Sequence, residues 1–300
     1  MVQRIDLGAR EQRFVLLDDT YVLVLPQHHD SGAHSDSEPH LTVFRLSPSS
    51  PSSPICVFQL PSVTLRPGEI IAGRSMCTSR HPPVPEGHFH DDPSMSMVVL
   101  MHYINIETQS HPIRCRVSHL LIPCAALLAQ IRAVFDSNPD PLAPPRLVPW
   151  RDWGPHRSLR LVLPVHPHPD HISDYLSLIP YGSRMPVVTF DDPGCTRASV
   201  YVFDINPLVV RHALHTLASQ SESGESTTAT AIVEDVEAVL PGVVDPENSA
   251  IPFVVYRFGI PLPAVERPTW RVIQAVRMSM TGFTVTFGLG LRETDHTWTV

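Results

Sequence analysis

The sequence predicts a mainly β fold, built from irregular antiparallel sheets with two short amphipathic helices and long loops. Short apolar runs rich in β-branched residues recur along the chain, separated by turn-forming residues. Only two stretches place apolar residues at helical spacing. The chain also has 32 prolines against 14 glycines. Because proline removes a backbone donor and is excluded from central strands, the elements should be short and the loops long.

We expect one domain over residues 1–300 with two sub-regions. Residues 1–122 supply the first strands, residues 123–149 a helix and a proline-rich connector, and residues 150–300 the remaining strands. Strands are predicted at 14–17, 21–25, 41–46, 55–60, 95–106, 113–122, 159–165, 185–190, 198–204, 253–258, 270–280 and 283–289. The first four of these fall within about 50 residues, the cadence of one propeller blade or half a sandwich.

In the strand at 113–122, Arg114, Arg116 and Ser118 alternate with apolar residues, which predicts one solvated face. The first helix is predicted at 124–135, with an apolar stripe of Leu127, Leu128, Ile131, Val134 and Phe135 at helical spacing. The second should span 206–218, with Asn206 as N-cap and Pro207 at the first helical position. Its predicted buried stripe consists of Val209, Val210, Ala213, Leu214 and Leu217.

Composition excludes several classes of function. The formal net charge is −8, every basic residue is arginine, and no basic tract is present, which argues against nucleic-acid binding. Five cysteines with no C-x-x-C pair argue against a disulfide framework and a zinc–thiolate site. Neither a leader nor an apolar run of membrane-spanning length is visible, so we expect an intracellular protein of the cytoplasm or nucleus.

One motif suggests metal chemistry. The stretch H-P-H-P-D-H follows an apolar run and places His166, His168, Asp170 and His171 at the spacing H-x-H-x-D-H. It is similar to the signature of metallo-β-lactamase-like hydrolases, in which such side chains hold zinc and activate a water molecule. A helix and a proline-rich connector precede the motif here, instead of the strands of that family. A zinc hydrolase is therefore the alternative hypothesis, and no metal or cofactor is the favoured one.

Aromatic residues give the candidates for a binding surface, because aromatic side chains dominate protein interfaces. The competing interpretation is that each ring fills the core or closes the end of a strand, since each buries a large area. The candidates are Trp150, Trp153, Tyr181, Tyr256 and Trp270.

Four stretches carry a resemblance to a known family: the strand-loop-strand series from Phe14 to Leu60, W-x-x-W-G-P at 150–155, D-I-N-P-L-V-V-R-H-A-L at 204–214, and the closing block from F-V-V-Y-R-F-G-I-P-L-P to T-V-T-F. The chain resembles the C-terminal region of F-box proteins of mushroom-forming fungi. That resemblance implies an irregular, incomplete β-propeller-like region that binds a protein partner, without catalytic residues. The F-box itself is not found, so no docking element for the ubiquitin-ligase linker protein is expected.

Two further interpretations stay open. A substrate receptor without lysine would escape ubiquitination on lysine by its own ligase, whereas codon bias explains the missing lysines more simply. The chain could also be a truncated fragment without independent function, because a partial propeller leaves open sheet edges.

Overall fold

The computed structural model describes part of the chain: residues 12–26, 39–46, 54–79, 95–106, 114–137, 144–163, 172–190, 197–220, 240–261, 272–289 and 292–299. Its strands, in chain order, are β1 (Gln12–Leu16), β2 (Tyr21–Pro26), β3 (His40–Arg45), β4 (Pro54–Gln59), β5 (Glu69–Thr78), β6 (Met97–Ile106), β7 (Arg114–Pro123), β8 (Arg146–Val148), β9 (Leu159–Val162), β10 (Ile172–Ile179), β11 (Arg184–Phe190), β12 (Arg197–Asp204), β13 (Val254–Pro261), β14 (Val272–Met278), β15 (Gly282–Leu289) and β16 (Arg292–Thr299). The helices are α1 (Cys124–Ser137), α2 (Trp150–Trp153) and α3 (Pro207–Gln220).

The strands form four sheets. Sheet A has the order β1-β2-β3-β4-β8, sheet B β5-β6-β7-β9, sheet C β10-β14-β15-β16 and sheet D β11-β12-β13. Nearly every pairing is antiparallel; the exceptions are β4 with β8 and β10 with β14, which run parallel. Most neighbours are also sequential along the chain, as expected for short strands joined by turns.

Sheet B lies in the middle of the molecule and is covered on both faces. On β6, Met97 and Val99 belong to the apolar core shared with sheets C and D. Their neighbours Val98 and Leu100 belong to the core shared with sheet A and α1. A strand that is buried on both faces needs a continuous apolar run, and the sequence M-V-V-L supplies it.

The coarse prediction of a mainly β fold with antiparallel sheets is confirmed. Among the strands that the structure describes, no sheet closes on itself and no propeller arrangement is found. Three short helices are present where two were predicted, because W-R-D-W forms the single-turn helix α2. None of the described helices is long and apolar enough to cross a membrane.

Most predicted strands are present, but several others were missed. β5, β8, β10 and β16 had no counterpart in the sequence prediction. β5 contains Ala72, Gly73 and Ser75 and a register shift between Ile71 and Gly73, which breaks its alternation. β16 reads R-E-T-D-H-T-W-T, an almost entirely polar segment whose strand state comes from pairing with β15.

The predicted solvated face on β7 is wrong. Ser118 is buried, and the side chain of Arg116 is only 11% exposed, because sheet A covers this face. The polar groups are paired instead of hydrated: Arg116 forms an ion pair with Glu69 at 2.6 Å. Arg160 donates through Nε to the hydroxyl of Ser118 at 3.3 Å. Buried charges require such partners, so alternation alone did not distinguish a wet face from a paired one.

The two longer helices behave differently. In α1, the apolar stripe is buried as predicted, with Leu127, Leu128, Ile131 and Val134 in the core with sheet A. In α3, Val210 and Ala213 are buried against Val254 of β13, whereas Leu214 is exposed, contrary to the prediction. α3 therefore packs through a narrow contact and leaves its first turn available to line a surface groove.

Candidate functional site at the ends of sheets B and D

A groove lies where one end of sheet B meets one end of sheet D. The turn before β11, from Tyr181 to Arg184, forms the centre of the groove. Sheet B contributes the residue after β5, the two residues before β6 and the junction of β7 with α1. Sheet D contributes the end of β12 and the start of α3. Strand ends and helix starts are rigid supports, so the groove has a fixed shape.

The central turn is held by sheet B. The amide of Tyr181 donates to the carbonyl of Arg184 and the amide of Arg184 donates back, both at 3.0 Å, which closes a two-residue turn. Gly182 has φ +57°, a left-handed conformation that favours glycine. The Ser79 hydroxyl donates to the Gly182 carbonyl and accepts from the Met97 amide at 2.8 Å. These bonds connect sheet B directly to sheet D.

Asp204 fastens the same turn to the start of α3. Its Oδ1 accepts from the Ser183 hydroxyl at 2.7 Å and from the Asn206 amide at 2.9 Å. Asn206 in turn caps α3, since its Oδ1 accepts from the Leu208 amide at 2.8 Å. The predicted N-cap and the predicted helix start at Pro207 are confirmed. The second carboxylate oxygen of Asp204, Oδ2, has no hydrogen-bond partner among the described residues, and Asp204 lines the groove.

Arg184 lies opposite Asp204, since the two are Cα partners across β11 and β12. Its Nη2 donates to the carbonyls of Ser279 at 2.9 Å and Met280 at 2.8 Å, in the turn between β14 and β15. Nε and Nη1 take no acceptor among the described residues. The described ion pairs do not include one between Arg184 and Asp204, and both residues line the groove.

The groove has two halves, which share Met95, Ser96, Ser183 and Asn206. We call the half that contains Arg184 and Asp204 the polar half and the other the apolar half. The polar half has a volume of about 380 Å³ and the apolar half about 250 Å³. The remaining residues of the apolar half are Pro123, Ala125, Ala126, Ile205, Pro207, Ile251 and Pro252. Neither half includes a histidine or a cysteine among its described lining residues, and the carboxylate that accepts from a serine hydroxyl there is that of Asp204, bonded to Ser183.

No family model, curated protein or solved structure matches this chain. We therefore infer the function from the geometry of the groove.

Of the predicted binding-surface residues, Tyr181 lines the polar half of the groove. Tyr256 lies nearby on β13, where it packs against the cluster under α3. Burial raises the pKa of Tyr256, the Asp204 carboxylate raises it further, and Arg184 acts in the opposite direction. Both tyrosines therefore lie near the charged side chains of Arg184 and Asp204.

The tryptophans lie elsewhere. Trp153 is a core residue, 2% exposed, whose indole N–H donates to the carbonyl of Gln59 at 3.0 Å. This agrees with the alternative that the ring fills the core. Trp150 stands edge-on to Trp153, with ring centroids 5.1 Å apart, and lines a separate depression of about 480 Å³ beside Leu60 and Arg151. The predicted candidates thus do not form one surface.

The remaining predicted site residues fall outside the described part of the chain. Trp270 and the zinc candidates His166, His168, Asp170 and His171 are all in this category. Within the described ranges, no group of three histidines, cysteines or acids is arranged to hold a metal ion.

Sequence reasoning missed the polar residues that define the groove, namely Ser79, Ser183, Arg184 and Asp204. Two local signals existed. Y-G-S-R contains a glycine between apolar strands, which is typical of a tight turn. D-I-N-P places an acid just before a helix cap. Neither signal indicates that the two segments meet.

Proposed function

We propose that this protein is a non-enzymatic interaction module that binds an extended segment of a partner protein in the groove between sheets B and D. The observation that carries the proposal is the division of the groove into an apolar slot beside a polar end, on a rigid frame. Peptide-binding sites combine a pocket for a side chain with groups for the main chain.

The resemblance to F-box proteins supplies a specific form of this proposal. The module would correspond to their propeller-like, substrate-facing β region, with the F-box itself absent from the sequence. The stretch D-I-N-P-L-V-V-R-H-A-L, which carries part of the resemblance, also forms the α3 wall of the groove. Cys56, Cys77 and Cys124 are free, which supports a role inside the cell, in the cytoplasm or the nucleus.

Selection from a library of random linear peptides tests the proposal. Ala125 is exposed at the start of α1 and lines the apolar half, so Ala125→Trp should fill the slot without disturbing the core. Ala133 is exposed on the same helix and is not part of the groove, so Ala133→Trp is the matched control. We expect related peptides that bind the natural protein and Ala133→Trp but not Ala125→Trp. Failure to select any peptide, or equal binding by both variants, would contradict the proposal.

A zinc hydrolase remains the second candidate because of the H-x-H-x-D-H spacing at 166–171. Metal analysis of the purified protein distinguishes the two functions. The interaction module should contain no stoichiometric zinc, whether or not His168 is replaced by alanine. Stoichiometric zinc that disappears in His168→Ala would favour the hydrolase.

A further inference from the structure

We infer that the polar half of the groove recognises a carboxamide group, one that donates to Oδ2 of Asp204 and accepts from the guanidinium of Arg184. The inference rests on the proposed function and names the ligand chemistry of the same site. Asparagine and glutamine side chains offer N–H donors and a carbonyl acceptor in one group, and an extended main chain offers the same two groups, since the N–H and C=O of one residue point to the same side of a strand.

The state of the two charged residues supports this chemistry. Asp204 is only 5% exposed, yet just one of its carboxylate oxygens is used, by Ser183 and Asn206. Oδ2 is not one of the fully enclosed atoms that lack a partner, so it is accessible from the groove. Because Asp204 lines the groove, a ligand N–H is the partner that Oδ2 can accept from there.

Arg184 supplies the complementary group. Its Nη2 is fixed by the carbonyls of Ser279 and Met280, which fixes the plane of the guanidinium and leaves the remaining N–H groups for a ligand oxygen. Arg184 and Asp204 are cross-strand partners and line the same half of the groove, so one ligand in that half can reach both residues.

The charges also argue against an ionic ligand. A cation that approached Asp204 would be repelled by Arg184, and an anion that approached Arg184 would be repelled by Asp204, so the two charges of this half of the groove oppose each other's attraction for an ion. A neutral dipolar group is attracted at both ends. The apolar slot next to this pair then receives the neighbouring small side chain of the same ligand.

Asp204→Asn tests the acceptor directly. The amide oxygen of asparagine can still accept from Ser183 and from the Asn206 amide, while the NH₂ group replaces Oδ2 and opposes the ligand N–H. Asp152→Asn is the matched control, because it removes the same charge from an exposed residue of α2. For peptides selected on the natural protein, we expect binding to weaken about tenfold or more in Asp204→Asn, as for a ligand donor left without its acceptor, and to stay unchanged in Asp152→Asn.

Two changes in the peptide test the inference on the natural protein alone. Replacement of a shared glutamine or asparagine by glutamate or methionine removes a side-chain carboxamide, and N-methylation of single peptide units removes main-chain donors. Loss of binding with one of these changes identifies the source of the group. Selected peptides that share an essential lysine, arginine or acidic residue, or that tolerate every one of these changes, would overturn the inference. If such peptides are still blocked by Ala125→Trp, the proposed function stands without it.

Discussion

At Gly154, the backbone passes directly beneath the indole of Trp150. A Cβ atom at this position would lie 2.0 Å from Cε3 of that ring. The ring also stands edge-on to Trp153, and Trp153 contacts Phe58 of the core with ring centroids 5.0 Å apart. The motif W-x-x-W-G-P therefore has a structural reason, because the glycine leaves the space in which the first tryptophan lies.

We expect Gly154→Ala to lower the free energy of unfolding by about 1–3 kcal/mol, since the added methyl group forces Trp150 from its position. Urea unfolding followed by tryptophan fluorescence measures both effects. Gly259→Ala in β13 is the control, because a Cβ atom there meets nothing within 4 Å. Equal stability of the two variants would show that the ring moves at no cost.

Two histidines of sheet B are buried in their neutral form. Burial lowers the pKa of His102 to about 3, with further lowering from the nearby charges of Arg74, Arg160 and His119. Burial alone lowers the pKa of His119 to about 4. Nδ1 of His119 has no hydrogen-bond partner among the residues that the structure describes. Both side chains take up a proton when the chain unfolds at a pH below their ordinary pKa of about 6.5.

These two residues should make the protein sensitive to acid. Their contribution to stability is complete above about pH 6.5 and is lost as the pH falls toward 4, with a slope of up to about 1.4 kcal/mol per pH unit for each histidine. Urea unfolding at several pH values between 7 and 4.5 measures the slope. His119→Gln should reduce it, whereas His212→Gln on the exposed surface of α3 should not. An unchanged slope in His119→Gln would contradict this assignment.

At the scale of elements, the stability of α3 depends more on the bonds at its first turn than on the length of the helix. Its buried contact with β13 is narrow, and Leu208 and Leu214 are exposed. The Asn206 side chain caps the helix, and the Asn206 amide donates to the Asp204 carboxylate, so these two bonds fix where the helix begins. This start is also a wall of the groove, so helix capping and site geometry are coupled in this element.

We expect Asn206→Ala to cost about 1 kcal/mol of stability, because the Leu208 amide loses its acceptor. Chemical unfolding measures the loss, and far-ultraviolet circular dichroism shows whether α3 frays. Asn206→Ser keeps a capping oxygen and should retain most of the stability. If serine and alanine have the same effect, the side-chain cap does not stabilise the helix.

At the scale of the whole molecule, the sheets stack as layers, with sheet B between sheet A and the pair formed by sheets C and D. The layer between sheets A and B is not purely apolar. Burial tends to raise the pKa of Glu69, but hydrogen bonds from the Arg66 amide and the Arg116 guanidinium outweigh it and hold the pKa below its ordinary value. Arg160 bridges sheet B to Asp245 at 3.3 Å.

We expect Glu69→Gln to destabilise the protein by about 1–3 kcal/mol, because the Arg116 guanidinium keeps an acceptor but loses the negative charge of its partner, where the two side chains are 11% and 3% exposed. Asp152→Asn removes an exposed pair with Arg151 and should change stability by about 1 kcal/mol or less. Urea midpoints of the two variants at pH 7 provide the comparison. A small effect of Glu69→Gln would mean that water or another acceptor replaces the carboxylate.

The sequence by itself determined the features that depend on a few neighbouring residues. The alternation of apolar residues gave most of the strands, Asn206 and Pro207 gave the start of α3, and the stripe at 127–134 gave the buried face of α1. Each of these follows from backbone sterics, capping or amphipathic periodicity, which act within one or two turns of chain.

Only the tertiary structure decided the rest. Ser79, Asp204 and Met280 line one groove although they are far apart in the chain. Likewise, β10 pairs in parallel with β14, although the three strands of sheet D lie between them in the sequence. The polar face of β7 is buried because sheet A covers it, while strands of sheet B itself supply its polar partners, Glu69 on β5 and Arg160 on β9. Such contacts depend on which surfaces meet after folding, and that energy is non-local, so no short stretch of sequence contains it.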